Sequence, residues 1–398
     1  MESVIDTTPT PAPFAPRQLS IEFTGSGSEY FRIWIVNLLL ILVTLGLYLP
    51  FAKARRIRYF YANTRIDGQA LSFHGNPWKM FRGFILLVVL MGAYGIAERF
   101  SPLAALMAFI ALCVAWPALW RASMQFRMAN TSWRGLRMAF DGRLQDAYQA
   151  VAPLYVPLIA FVGLSLFAQQ PPSGEGDTTP AASAAVATDG LLLLAAMAVA
   201  ALTTPWFLTL TKRYQHNGFR IARQRTQVDL PVSRMYGLSV KGGLIGMLPV
   251  VLAGVVAAVI VAAASALQSE AGKAWATLLV GAAALLAYLI WFVIVGPYFT
   301  ARMQNLVWSG TRSQAVKFTS QLPFRALFWL TLKNWSLVVL TLSLYRPFAA
   351  VHTARLRLES VSLAVTEDVA QWSAGARAGM QDATGDIAGD FFGIDLGL

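Results

Sequence analysis

The chain has 398 residues, of which 56% are hydrophobic and 13% charged, and it carries a net charge of +12. A soluble domain is about 25% charged, so the balance points to lipid as the solvent, and several apolar runs reach the roughly 20 residues that a helix needs to cross hydrocarbon. No run shows the period-two alternation of an outer-membrane β-barrel, and the cations flank apolar stretches, where phosphate headgroups are nearer anions than nucleic acid.

In chain order, residues 1–18 are rich in Pro and Thr and lack the basic start, apolar stretch and small-residue cleavage site of a signal peptide. They read as a disordered cytoplasmic tail. Six runs read as full spans: Met80–Ala97, Pro102–Trp120, Ala150–Phe167, Gly190–Leu210, Gly242–Leu267 and Trp275–Tyr298. They form three hairpins. Stretches 51–82, 121–148, 211–241 and 300–333 hold seven, five, seven and five Lys and Arg, 24 of the 32 in the chain. The positive-inside rule makes those stretches cytoplasmic, and the Pro/Ser/Ala-rich segment around Pro171–Thr188, without Lys or Arg, a flexible external loop. From Glu367 the C-terminal tail, 367–398, carries six acids against Arg377 alone. It is expected to fold over the basic face.

Two further apolar segments, Ile33–Phe51 and Phe328–Phe348, align without a gap: Asn37 on Asn334, Thr44 on Thr341, Tyr48 on Tyr345, Pro50 on Pro347, Phe51 on Phe348 and Arg58 on Arg355. Looser echoes follow Pro117, Pro205 and Pro297. Short strand-like runs precede each membrane segment, at Leu19–Gly25, Leu71–Gly75, Leu136–Gly142, Thr226–Leu230 and Ala315–Ser320. The sequence therefore predicts one membrane domain over 19–366, built from about five strand, membrane-segment and basic-helix repeats. Its fold class is an all-α polytopic membrane protein with short cytoplasmic strands between units. Six transmembrane helices are expected, with 33–51 and 328–348 as re-entrant or interfacial segments and both termini cytoplasmic; the alternative is eight full spans with both termini outside.

At Phe23-Thr-Gly25, Asn37-Leu-Leu, Thr44-Leu-Gly-Leu-Tyr48, Pro50-Phe-Ala-Lys-Ala-Arg55-Arg56 and Tyr59-Phe-Tyr-Ala-Asn-Thr64 the chain resembles the YjgN family of bacterial inner-membrane proteins, as it does at Tyr345-Arg-Pro-Phe-Ala349 and in the tail from Gly389 to Leu398. In the last copy His352 stands for Arg55 and Ser343 for Gly46. The resemblance implies a bacterial inner-membrane location and a multi-pass fold, and carries over no functional residue.

Candidate contacts to lipid headgroups or other anions are Lys53, Arg55, Arg56, Arg58, Lys212 and Arg213, where cations and aromatic rings mix beside apolar segments. Asn37 and Asn334 are candidate intramembrane polar positions, able to hold repeats together or to meet a polar ligand. Pro50, Pro117, Pro205, Pro297 and Pro347 are candidate helix bends. The lone Cys113 and the scattered His74, His216 and His352 suggest no metal or cofactor. With no nucleophile–base pair visible, an enzyme is not expected. The functions expected are a permease, channel or small-solute facilitator or, alternatively, an anionic-lipid-binding or scaffolding protein, with membrane lipids as partners in either case.

Overall fold

The computed structural model describes residues 17–168, 180–222, 224–267 and 269–366. Their elements follow one order five times: strand, helix, helix, strand. Unit one is β1 (Arg17–Phe23), α1 (Gly27–Val43), α2 (Leu49–Ala62) and β2 (Thr64–Ile66). Unit two is β3 (Gln69–Phe73), α3 (Pro77–Phe100), α4 (Pro102–Ala129) and β4 (Thr131–Trp133). Unit three is β5 (Leu136–Phe140), α5 (Leu144–Ala168), α6 (Pro180–Gly218) and β6 (Phe219–Ile221). Unit four opens on two stubs, β7 (Gln224–Arg225) and β8 (Gln227–Val228), followed by α7 (Val232–Leu267), α8 (Glu270–Ser309) and β9 (Thr311–Arg312). Unit five is β10 (Val316–Ser320), α9 (Phe324–Leu340), α10 (Arg346–Glu359) and β11 (Val361–Val365).

The strands overturn the all-α expectation, because all eleven join one antiparallel sheet in the order β7-β6-β5-β4-β3-β2-β1-β11-β10-β9-β8. The two strands of a unit pair with each other, with Ile21 opposite Ile66, Leu71 opposite Trp133 and Val316 opposite Val365. Neighbouring units pair through tight hairpins. Asp67-Gly68 and Arg134-Gly135 take positive φ at both central positions (52° and 71°, 51° and 80°), the two-residue turn whose twist suits flanking strands. β11 returns to β1, with Leu19 opposite Leu363. The remaining ends, β7 and β8, are separated by Thr226 alone, so the sheet nearly closes into a barrel and leaves little edge unpaired. The five expected strand-like runs fall on β1, β3, β5, β8 and β10, and the strands that close the units, of two to five residues, are too short for alternation to mark them.

The helices follow the same cycle. Each first helix packs on the second helix of its own unit and on the second helix of the unit before, and α10 on α1 closes the circuit. Among the described residues five helices are long and apolar enough to cross a membrane, α3, α4, α6 from Gly190, α7 to Ala266 and α8. The sixth expected span, Ala150–Phe167, falls within the 25-residue α5. Leu244, Val251, Val259, Leu278 and Leu285 are exposed along α7 and α8, as side chains facing lipid tails would be.

Segments 33–51 and 328–348 are not single helices. Each holds the end of a 17-residue helix, a turn (Thr44–Tyr48 or Thr341–Tyr345) and the start of a 14-residue helix. Both turns are wired alike. Thr44 Oγ1 donates to Leu40 O (2.7 Å) and accepts from Tyr48 N (3.0 Å); Thr341 Oγ1 donates to Leu337 O (2.6 Å) and accepts from Tyr345 N (2.9 Å). Gly46 N to Ile41 O and Leu45 N to Leu42 O complete a Schellman cap on α1. The proline that follows begins the second helix.

The predicted tails, 1–18 and 367–398, lie outside the described residues except for Arg17 and Gln18, which begin β1. The expected external loop around Pro171–Thr188 lies outside them as far as residue 179, and α6 is already helical from Pro180.

Candidate functional site

The second helix of each unit positions the basic residues. Its proline is buried in every unit. Pro117, Pro205 and Pro297 lie inside α4, α6 and α8. Pro50 and Pro347 lie in the first turn of α2 and α10, where a missing N–H leaves nothing unpaired. These two start a helix, whereas the other three sit within continuous ones.

Beyond the proline a side chain of each second helix reaches the backbone that opens the next unit. Arg58 Nη2 donates to Gly75 O (2.9 Å), Arg121 Nε to Gly142 O (2.8 Å), Arg213 Nε to Leu230 O (2.9 Å), Asn305 Nδ2 to Leu322 O (3.0 Å) and Arg355 Nη2 to Gly25 O (2.8 Å). The five bonds run once round the molecule and fasten unit five to unit one. Two residues predicted as headgroup contacts, Arg58 and Arg213, are thus engaged in this fastening. Arg121, Asn305 and Arg355 complete it, at the fourth or eighth position after the proline and so on one helix face.

The accepting loops are packed in two ways. Phe23, Phe73 and Phe140 end their strands and fold their rings over Gly25, Gly75 and Gly142, where a Cβ would fall 2.8, 2.3 and 2.5 Å from ring carbons. Units four and five carry Val228 and Ser320 in place of the phenylalanine, and Leu230 and Leu322 fill the space at 1% and 2% exposure.

Of the other predicted contacts, Arg55 donates to Asn37 Oδ1 (3.5 Å) and lies over the Tyr48 ring, and Arg56 lies over Phe60. Asn37 and Asn334 are both buried, and each reaches the second helix of its own unit. Asn334 Nδ2 donates to Ala349 O (3.5 Å) and Thr353 Oγ1 (3.3 Å). Lys53 lines a mainly apolar cavity of about 430 Å³ between α2, α3 and α4, together with Met80, Phe84, Leu87, Trp116 and Trp120. Lys212 Nζ donates to Gln215 Oε1 (3.1 Å). Sequence reasoning passed over Gln304 and Arg357, which join α8 to α10: Arg357 Nε donates to Gln304 Oε1 (2.8 Å), and Gln304 Nε2 to Arg357 O (2.8 Å). Their spacing from Pro297 and Pro347 was the available signal.

The apolar run of α6 ends at Leu210, and its last turns lie at the level of the sheet. There His216 packs edge-on against Phe219 and Trp308. Thr311 Oγ1 donates to Val307 O (2.7 Å), so it accepts from His216 Nδ1 (2.9 Å), which fixes the neutral Nδ1–H tautomer. Burial, and next the Lys212 charge, push the imidazole pKa down to about 3. The unfolded chain then takes up a proton near pH 6.5 that the folded chain refuses until about pH 3. Stability from this group is complete above pH 6.5 and drains away as pH falls toward 3. The melting temperature in detergent should drop between pH 7 and pH 4 with a slope that is shallower in His216→Gln.

Among the described residues no group of three or more His, Cys, Asp or Glu is placed to hold a metal ion. A model of the family described as bacterial protein of unknown function (DUF898) matches residues 18–391. The chain is 29% identical over 150 residues to the inner membrane protein YjgN of Escherichia coli K12, a match covering 36% of each chain. It is 26% identical over 149 residues to YjgN of Salmonella typhimurium, covering 37% of this chain and 38% of the relative. The match thus spans little more than a third of these curated relatives. No solved structure matches the chain. With apolar helices able to cross a bilayer and relatives named for the inner membrane, the protein is an inner-membrane protein, and the chain belongs to the DUF898 family, that of YjgN.

Proposed function

We propose that the protein is a channel or small-solute facilitator, formed by five copies of one strand–hairpin–strand unit around an axis normal to the membrane. The observation that carries the reading is the closed circuit: strands, helices and side-chain fastenings all return from unit five to unit one. A closed ring of membrane hairpins is an architecture that encloses a path. The sheet, the basic stretches and both termini belong on the cytoplasmic side in this reading. The five helices long and apolar enough to cross a membrane hold acids only near their far ends, at Glu98 and Glu270, and α5 holds Asp146 in its first turn. The lack of a carboxylate at mid-membrane in these helices favours passive passage over coupling to protons or sodium. The protein is proposed as a non-enzyme.

A second reading, binding of anionic lipid, is favoured by the apolar cavity that carries the single cation Lys53. The test is purified protein in liposomes, assayed for passage of ions and of neutral solutes of graded size. Size-limited flux above protein-free liposomes supports the channel. Absence of any flux, with anionic lipid retained through purification, supports the second reading instead.

A further inference from the structure

We propose that the inner faces of the second helices form a cationic vestibule that binds small inorganic anions and makes the passage selective for them, through Lys53, Arg127, Lys212, Gln304 and Arg357. This rests on the channel reading and names its solute class.

Each unit contributes one of these residues, at the third, seventh or tenth position after its proline. At 3.6 residues per turn those positions fall within about 60° of one helix face. In five units arranged around one axis, the same face points in the same direction relative to that axis. One direct contact and two charge pairings between second helices of different units place that direction inward in this proposal. Gln304 and Arg357 bond across α8 and α10. Burial, and next the charge of Arg357, hold Lys212 of α6 below the usual lysine range, although α6 and α10 are not neighbours in the ring. Burial and then Arg127 of α4 do the same to Lys53 of α2. Lys53 and Arg357 are nonetheless exposed.

From the proline to the last turn the second helices hold no acid to neutralise these charges. The first is Glu359, the final residue of α10, which accepts from Phe23 N (3.4 Å). Of the other arginines on these helices, Arg58, Arg121, Arg213 and Arg355 fasten the units, Arg55 holds Asn37 and Arg56 lies over the Phe60 ring. Mutually repelling cations without acids, gathered in a partly desolvated space, stabilise an anion, and rings of Arg and Lys are how pores select anions.

The test is the reversal potential of the full-length protein in zwitterionic bilayers under a potassium chloride gradient, with phosphate-dependent melting in detergent alongside. The wild type should prefer chloride, and its melting temperature should rise with inorganic phosphate. Lys53→Gln/Arg127→Gln/Lys212→Gln should lose at least tenfold in anion-to-cation permeability ratio and lose the phosphate shift. Lys273→Gln, beside Glu270 at the far end of α8, should keep both. Lys212→Gln alone, whose hydrogen bond is to Gln215 on its own helix, carries the test if the triple variant melts early. Passage with cation preference, or with none, overturns anion selection and leaves the channel standing. Absence of passage with the phosphate shift intact overturns the channel and leaves the anion site. Loss of bound phosphatidylglycerol in the triple variant, with no response to chloride or phosphate in the wild type, assigns the cations to lipid headgroups and overturns the proposal.

Discussion

Cysteines placed at Ser20 and Ser362 in a Cys113→Ser background should join in a disulfide within one chain under mild oxidation. β1 and β11 pair antiparallel with Ser20 opposite Ser362. Partners across an antiparallel pair have Cα atoms about 4.5–5.5 Å apart, inside the range that a disulfide spans. The bond would tie the first unit to the last, across nearly the whole domain, and a cross-link closing so long a loop stabilises by about 2–4 kcal/mol. Non-reducing electrophoresis should show a compact monomer, and the oxidised form should melt higher than the reduced one. Arg355→Ala, which removes the fastening to Gly25 O and Phe23 O, should slow the cross-link and lower the melting temperature. A chain that cross-links only between molecules, or not at all, would show that the sheet is open.

Gly75→Leu should destabilise the protein strongly, and adding Phe73→Val should restore most of the loss. A Cβ at position 75 would lie 2.3 Å from the Phe73 ring, and overpacking of this kind costs about 1–3 kcal/mol. The chain itself contains the compensated form: Val228-Asp-Leu230 holds the same place in unit four, with Leu230 buried. The double variant copies that solution into unit two. Melting temperatures of the two single variants and the double give a coupling energy of favourable sign, and simple additivity would show that ring and glycine do not constrain each other.

The membrane helices were legible because 3.6-periodic and all-apolar runs of twenty or more residues are long enough to accumulate signal. The match of Asn37 through Arg58 with Asn334 through Arg355 was legible for a related reason, since the two short units preserve their turn chemistry down to Thr44 and Thr341. Of the sheet, the runs on β1, β3, β5, β8 and β10 were legible as strands, but β7 and the strands that close each unit were not, because stubs such as Gln224–Arg225 and Thr311–Arg312 owe their pairing to partners distant in sequence. Asp67-Gly68 and Arg134-Gly135 were the local clue, as two-residue turns with a glycine second. The roles of the cations were hidden for a different reason. Lys53, Arg55, Arg56 and Arg58 look alike as a cluster, but helical geometry sends Arg58 to the Gly75 carbonyl, Arg55 to Asn37 and Lys53 to a cavity.

Units one and five are neighbours in the ring, and both are built from helices of 17 and 14 residues, while unit four has helices of 36 and 40. At about 1.5 Å per residue the helices are roughly 25 Å long at most in two adjoining sectors and more than twice that in unit four. The turn leucines at the top of the low sectors, Leu45 and Leu342, are 94% and 89% exposed. In the channel reading proposed above, acyl chains complete the wall there, which makes bilayer thickness a component of the enclosure itself.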